Sequence, residues 1–312
     1  MKIGRRSFLR QTTLTSTAIA LAGPYAALGS EKKRIESSYE IMEKMRKYRK
    51  FDAHAHVGMN RSHPDDAARQ IDENDRLGIE WASISYPVLS REVPFRPEEA
   101  RENNDVIYKA MKRFPNRFIG FFTLNPHFPK ESLEEIKRCV DLGFRGYKGY
   151  LQVKINDPLY YPIIEKLIDL KMICLMHAEC EIGVGGHRMK YDIGEKAFAT
   201  IPEDMIEAAR RYPEAIFQWA HIGGGGDWEY MCKSFADIPN IYVDCSGSNN
   251  EEGIVDGAIR ILGEDRIFFG TDNSFYQGVG KILASNTSEA QKRKLFFDNY
   301  NNMLRKGGYH VA

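Results

Sequence analysis

The chain has 312 residues, with 44 Lys+Arg against 43 Asp+Glu and a net charge of +1. Hydrophobic residues make up 43% and charged residues 28%, the proportions of an ordinary globular protein, which argue against disorder, a collagen-like chain and a multi-span membrane protein. A charge this close to zero gives no support to nucleic-acid binding, which calls for a basic domain or stripe. The length accommodates one α/β barrel or two smaller domains.

Residues 1–29 read as an address rather than as fold. Arg5-Arg6-Ser7-Phe8-Leu9-Arg10 is a charged opening with paired arginines. An uncharged, moderately apolar stretch follows over 12–28, and Ala27-Leu28-Gly29 offers the small residues a signal peptidase accepts. The pattern resembles a bacterial twin-arginine export signal. It predicts the twin-arginine translocation machinery as a partner and the periplasm, or another exported location, as destination. The apolar run is too short and too rich in Thr and Ser to span a membrane comfortably. Cleavage would remove four basic residues and no acid, leaving a mildly acidic chain. The five cysteines are odd in number, contain no Cys-x-x-Cys, and several lie in apolar stretches, so they read as buried free thiols.

A charged lead-in helix is expected over 30–49, and a single domain over 50–312. In chain order, short apolar runs predict strands at 51–56, 81–85, 118–123, 146–150, 173–177, 216–221, 241–245 and 267–271. Helical patterns separate or follow them at 64–77, 97–114, 132–142, 161–170, 202–212, 227–235, 251–262 and 288–305. Pro97 with Glu98 and Glu99 suits a helix start. Eight strand-then-helix units imply a parallel sheet, and in this length they suit an α/β (β/α)8 TIM barrel. A doubly wound open sheet is the other solution, but no Gly-rich dinucleotide fingerprint follows the first strand.

Chemistry gathers at the strand ends. Phe51-Asp52-Ala53-His54-Ala55-His56 places two imidazoles at i and i+2, on one face of a strand and about 7 Å apart along it. Two converging imidazoles are suited to holding one metal ion, and Asp52, on the same alternation, would orient a ligand from behind. The fifth run ends at His177 and the sixth at His221, and Asp272 directly follows the eighth. In barrel enzymes the C-terminal strand ends build the active site. Lys148 lies in the fourth run, where it is a buried ion-pair partner or a cation facing the substrate.

These motifs, with Phe114-Pro115-Asn116-Arg117, Leu142-Gly143-Phe144-Arg145-Gly146, Ala220-His221-Ile222-Gly223-Gly224 and Phe269-Gly270-Thr271-Asp272, resemble the amidohydrolase superfamily. The narrower likeness is to amidohydrolase family 2, which includes the aminocarboxymuconate-semialdehyde-type decarboxylases. The resemblance runs from about residue 51 to 304. It implies a divalent metal on His54, His56 and His177 with Asp272 as a further ligand, and His221 as the catalytic histidine beside Asp272. Zn2+ is the expected ion, with Mn2+, Fe2+ or Co2+ as alternatives. Dinuclear members carry a carboxylated lysine on the fourth strand, so Lys148 could bridge two metals, although the flanking sequence favours one. The resemblance also leaves room for a homodimer.

Tyr86, Arg91, Tyr150, Glu179, Trp228 and Tyr276 follow predicted strands and are candidates for contacting the small-molecule substrate. The loop over 179–190 is a candidate lid, and Gly223–Gly226 a close-approach turn. Ser246-Gly247-Ser248 is not a nucleophile elbow. The first functional expectation is an exported, metal-dependent hydrolase of an amide, ester or lactone, in which the metal activates a water. The alternative is a metal-dependent decarboxylase of a small unsaturated or aromatic acid.

Overall fold

The computed structural model describes residues 38–58, 65–88, 95–180, 198–222, 226–247 and 249–312. The segment expected to direct export, Arg91, the candidate lid beyond residue 180 and Gly223 to Gly225 lie outside the described residues. Eight strands form one parallel sheet in sequential order: β1 (Lys50–His56), β2 (Ile79–Ser85), β3 (Phe118–Phe122), β4 (Gly146–Gly149), β5 (Ile173–Met176), β6 (Ile216–Trp219), β7 (Ile241–Asp244) and β8 (Ile267–Phe268). Ala53 N donates to Phe269 O at 2.9 Å, and Asp272 N to His54 O at 2.7 Å. These bonds join the last strand's end to the first, so the sheet is a (β/α)8 TIM barrel.

The surrounding helices are α1 (Ser38–Arg46), α2 (Asp66–Leu77), α3 (Pro97–Arg113), α4 (Pro129–Asp141), α5 (Tyr161–Asp169), α6 (Pro202–Arg211), α7 (Trp228–Ser234), α8 (Ile254–Leu262), α9 (Phe275–Ala284), α10 (Glu289–Arg293) and α11 (Asn299–Lys306). Proline opens α3, α4 and α6, where its missing N–H costs nothing. The sequence pattern does not reveal α9, because Gly278 and Gly280 depress its helix propensity. A β-carbon on Gly278 would stand 2.9 Å from Gly270 O, so this glycine lets α9 lie close against the chain after β8.

One irregularity in β1 decides which side chains face inward. Phe51 is registered with Trp81 and Asp52 with Ala82, but Ala55 pairs with Ile84 and His56 with Ser85. Three steps along β1 are matched by two along β2, which is a bulge. It reverses the alternation between Asp52 and Ala55. Phe51 and Ala53 therefore join the interior apolar cluster, while His54 and His56 share the interior face above them. Asp52 does not share that face, contrary to the simple alternation. Its carboxylate accepts from His54 N (3.0 Å), Thr271 N (2.9 Å) and Thr271 Oγ1 (2.5 Å). It fastens β1 to the end of β8 and leaves the ligand rings alone.

Below the site the interior is filled by Ile119, Phe121, Ile173, Leu175 and Phe268. Tyr300 of α11 meets Phe51 and Phe268 edge-on at 4.9 and 5.2 Å and bonds Ser83 Oγ through its hydroxyl at 2.8 Å. A second, larger apolar layer lies between barrel and helices and contains all five cysteines as buried thiols.

A buried polar network ties α3 and α4 to the end of β3. Asn104 donates to Thr123 O and to Glu135 Oε1, and Arg138 grips both oxygens of Glu135 at 2.6 and 2.8 Å. Burial by itself would raise the Glu135 pKa, but Arg138 and Asn104 outweigh it and hold the carboxyl below its usual range. Glu135→Ala is expected to cost about 3 kcal/mol at neutral pH, because it strands Asn104 and half of Arg138. The folded pKa is depressed, so this contribution is present above the unfolded carboxyl's pKa and lost as pH falls through the folded one. Urea unfolding should therefore show the difference between the two proteins holding steady from neutral pH down to the unfolded carboxyl's pKa and narrowing below it.

Candidate active site

The C-terminal ends of the strands converge on one buried cluster. β1 supplies His54 and His56, β4 Lys148, the residue after β5 His177, and the turn after β6 His221. β7 ends in Asp244, and Asp272 follows β8. His221 (φ 66°) and Asp272 (φ 48°) are two of the few non-glycine residues with left-handed backbone among those described. Such conformations cost energy and concentrate at functional sites. Here they turn the chain as it leaves the strand. Gly247, at φ 85°, backs His221 so closely that a β-carbon would sit 2.8 Å from His221 Cβ.

His54, His56 and Asp272 bring one donor atom each into a group compact enough for a single ion. Asp272 Oδ1 lies 2.9 Å from His56 Nε2 and 3.7 Å from His54 Nε2. The opposite ring nitrogens are taken up behind. His54 Nδ1 faces Asp244 Oδ2 at 3.2 Å, and His56 Nδ1 faces Ser85 O at 3.2 Å and Ser85 Oγ at 3.1 Å. Metal-binding histidines are held in this way, with the far nitrogen bonded to a carboxylate or carbonyl. The donor set of two imidazoles and a carboxylate therefore fits a divalent metal.

A second compact group, His54, His221 and Asp244, does not enclose open space. Ser246 Oγ lies 2.5 Å from Asp244 Oδ1, 3.0 Å from His221 Nδ1 and 3.2 Å from His54 Nδ1. The group closes on a hydroxyl. His177 joins neither group. Its Nδ1 is 3.1 Å from His221 Nε2, and its Nε2 is 3.7 Å from Glu179 Oε1.

The charge states suit cation binding. Burial first, then the Lys148 ammonium, lowers the His54 pKa to about 4, which keeps the ring neutral. Burial would raise Asp272, but His54, His56 and His221 outweigh it and hold its carboxyl far below the usual range. Asp244 is likewise depressed, with His54 opposing the effect of burial. Burial lowers Lys148 to about 8. Its Nζ donates to His54 Nε2 at 3.1 Å and lies 5.1 Å over the Tyr150 ring. Among the described residues it has no carboxylate within ion-pair distance.

Of the expected pocket residues, Tyr150 and Glu179 are at the site. The Tyr150 ring stacks 6.3 Å from His177 and lies 6.4 Å from His56, and its hydroxyl donates to Tyr86 O. Tyr86 thus meets the site through its backbone, with its ring packed under Gly58. Trp228 and Tyr276 are placed elsewhere. Trp228 opens α7, bonds Glu251 and packs on Gly257 of α8, where a β-carbon would be 2.3 Å from its ring. Tyr276 is exposed on α9 and donates to Glu73 of α2. Both follow strands, but the helices they begin turn them away from the mouth. Asp244 and Ser246 were not singled out in the sequence, although the seventh predicted run ends in Asp244-Cys245 and the rule that found Asp272 applies to it equally.

The amidohydrolase family model Amidohydro_2 matches residues 51–299, and the chain belongs to that family. It is 28% identical to the γ-resorcylate decarboxylase of Rhizobium radiobacter, covering 64% of this chain and 74% of that one. It is 24% identical to the 2-amino-3-carboxymuconate-6-semialdehyde decarboxylase of Dictyostelium discoideum, covering 63% of each chain. A crystal structure of a dihydroxybenzoic acid decarboxylase from Polaromonas sp. JS666, with bound manganese and the inhibitor 2-nitroresorcinol, shares the fold. Its TM-score is 0.64 at 20% identity, over 83% of this chain and 96% of that one. These likenesses overturn the expectation of an amide, ester or lactone hydrolase, since the relatives named are decarboxylases. The reason is chemical. Histidines and a carboxylate around a metal serve water activation and carboxylate handling alike, so the motifs identified the scaffold and not the bond broken. The family match begins at residue 51 and lends no support to export.

Proposed function

We propose that the protein is a metal-dependent decarboxylase of a small hydroxylated aromatic or unsaturated carboxylic acid. The observation that carries this reading is the 28% identity to γ-resorcylate decarboxylase, on a chain whose His54, His56 and Asp272 form a metal-competent group. Manganese in the Polaromonas structure supports that ion as the first choice over zinc. When bound, the metal supplies positive charge for the substrate's oxygens and for charge developing as the C–C bond breaks.

Decarboxylation exchanges a carboxylate for a proton at carbon. A proton adds to the carbon bearing the carboxylate, the C–C bonding pair returns to that carbon framework, and carbon dioxide leaves. His221 carries the proton in this reading, with Asp272 Oδ2 3.7 Å from its Nδ1 to stabilise the charged ring. Lys148 offers the carboxylate a buried cation. Tyr150, beside His56 and His177, offers a flat wall for an unsaturated acid.

The expected result, with manganese-loaded protein and γ-resorcylate or a related hydroxybenzoate in deuterium oxide, is a product bearing one deuterium where the carboxyl group stood. Mass spectrometry reads it directly. Turnover that incorporates solvent oxygen and keeps the carboxyl carbon would overturn the proposal.

A further inference from the structure

Asp244 and Ser246 are buried and stand between two rings with different tasks. A serine hydroxyl has one hydrogen, and an ionised carboxylate only accepts. The 2.5 Å contact between Ser246 Oγ and Asp244 Oδ1 therefore uses the serine's hydrogen. Its lone pairs are left facing His221 Nδ1 and His54 Nδ1, and a ring nitrogen bonded to them must donate. For His54 a second contact requires the same arrangement. The Lys148 ammonium can only donate, and it meets His54 Nε2, so the hydrogen of the neutral ring is on Nδ1.

We propose that Asp244 and Ser246 are a positioning pair that places the ring hydrogen on Nδ1 of both His54 and His221. One buried carboxylate then prepares Nε2 of His54 to bind metal and Nε2 of His221 to take and give a proton. The role given to His221 rests on the decarboxylase reading, whereas the hydrogen placement does not.

The surroundings hold the pair in place, while on the far side of the ring His221 Nε2 meets His177 Nδ1 at 3.1 Å. His221 N and Ser246 N each donate to Asp244 Oδ1 at 3.1 Å, and Gln218 Nε2 donates to Oδ2 at 2.8 Å. Lys281 of α9 reaches under the loop and donates to Cys245 O (3.1 Å) and Gly247 O (2.7 Å). The loop that carries Ser246 is thus held from both sides. Every Asp244 and Ser246 side-chain oxygen in this network has a partner, whereas Gln218 Oε1 is buried without one among the described residues.

The test uses full-length protein labelled with 15N-histidine and loaded with Zn2+ as a diamagnetic ion, read by NMR, alongside kinetics of the manganese form. Wild type should show His221 and His54 with hydrogen on Nδ1. Ser246→Ala should shift the His221 pattern toward the Nε2–H form and lower kcat about 10–100-fold at nearly constant KM. Ser246→Thr, which keeps the hydroxyl, should restore both. Asp244→Asn should also weaken metal binding by about 10–100-fold. Hydrogen on Nε2 of His221 in wild type overturns the proposal whatever the variants do. So does a folded Ser246→Ala protein with wild-type kcat and an unchanged His221 pattern. If the NMR result is as expected but no substrate loses carbon dioxide, the pairing stands and the decarboxylase reading falls.

Discussion

Asp272→Asn is expected to lower kcat/KM by about a thousandfold and to weaken divalent-metal binding, while leaving the melting temperature nearly unchanged. The carboxylate is the meeting point of the site. Oδ1 faces His56 Nε2 and His54 Nε2, and Oδ2 faces His221 Nδ1. An amide keeps the size and one oxygen but loses the charge that makes the group cation-binding. The backbone should not object, because at φ 48° asparagine is among the residues that tolerate the left-handed region best. The structural bond from Asp272 N to His54 O at 2.7 Å does not involve the side chain. Elemental analysis beside steady-state kinetics checks both halves of the prediction. Full activity and full metal content in this variant would remove Asp272 from the site.

His221→Asn should separate proton handling from metal binding. We expect kcat to fall by about 10²–10⁴-fold with metal content unchanged, since His221 is outside the His54, His56 and Asp272 group. Asparagine again suits the left-handed backbone at φ 66°, and the bond from the residue 221 amide to Asp244 Oδ1 is kept. A variant that loses its metal would show that His221 is a ligand. His54→Ala and His56→Ala, in contrast, should lose metal and activity together.

The barrel was legible because each unit repeats one physical pattern, a short apolar strand followed by an amphipathic helix. The strand ends were legible for a related reason: His177, His221 and Asp272 stand where a core residue would otherwise continue. Three features were hidden. The β1 bulge depends on pairing with β2, so reading β1 alone put Asp52 with the histidines and not against Thr271. Two glycines masked α9, and with it the lysine that braces the β7 loop. Ser246 looked inert because its function lies in the company of Asp244, His54 and His221, which only the closed barrel assembles. The resemblance places His177 among the ligands, and the residue stands at the site with Nδ1 facing His221 and Nε2 facing Glu179. The bond broken was the least legible feature, since one set of donors serves both chemistries.

The most direct measurement is release of labelled carbon dioxide from hydroxybenzoates carrying carboxyl-13C, with metal-stripped protein before and after manganese is restored. The account predicts 13CO2 from at least one such acid in step with loss of the acid, absent from the stripped protein and recovered with the ion. Release that is indifferent to metal, or a manganese-loaded protein that cleaves amides or esters and leaves every labelled acid intact, would contradict it.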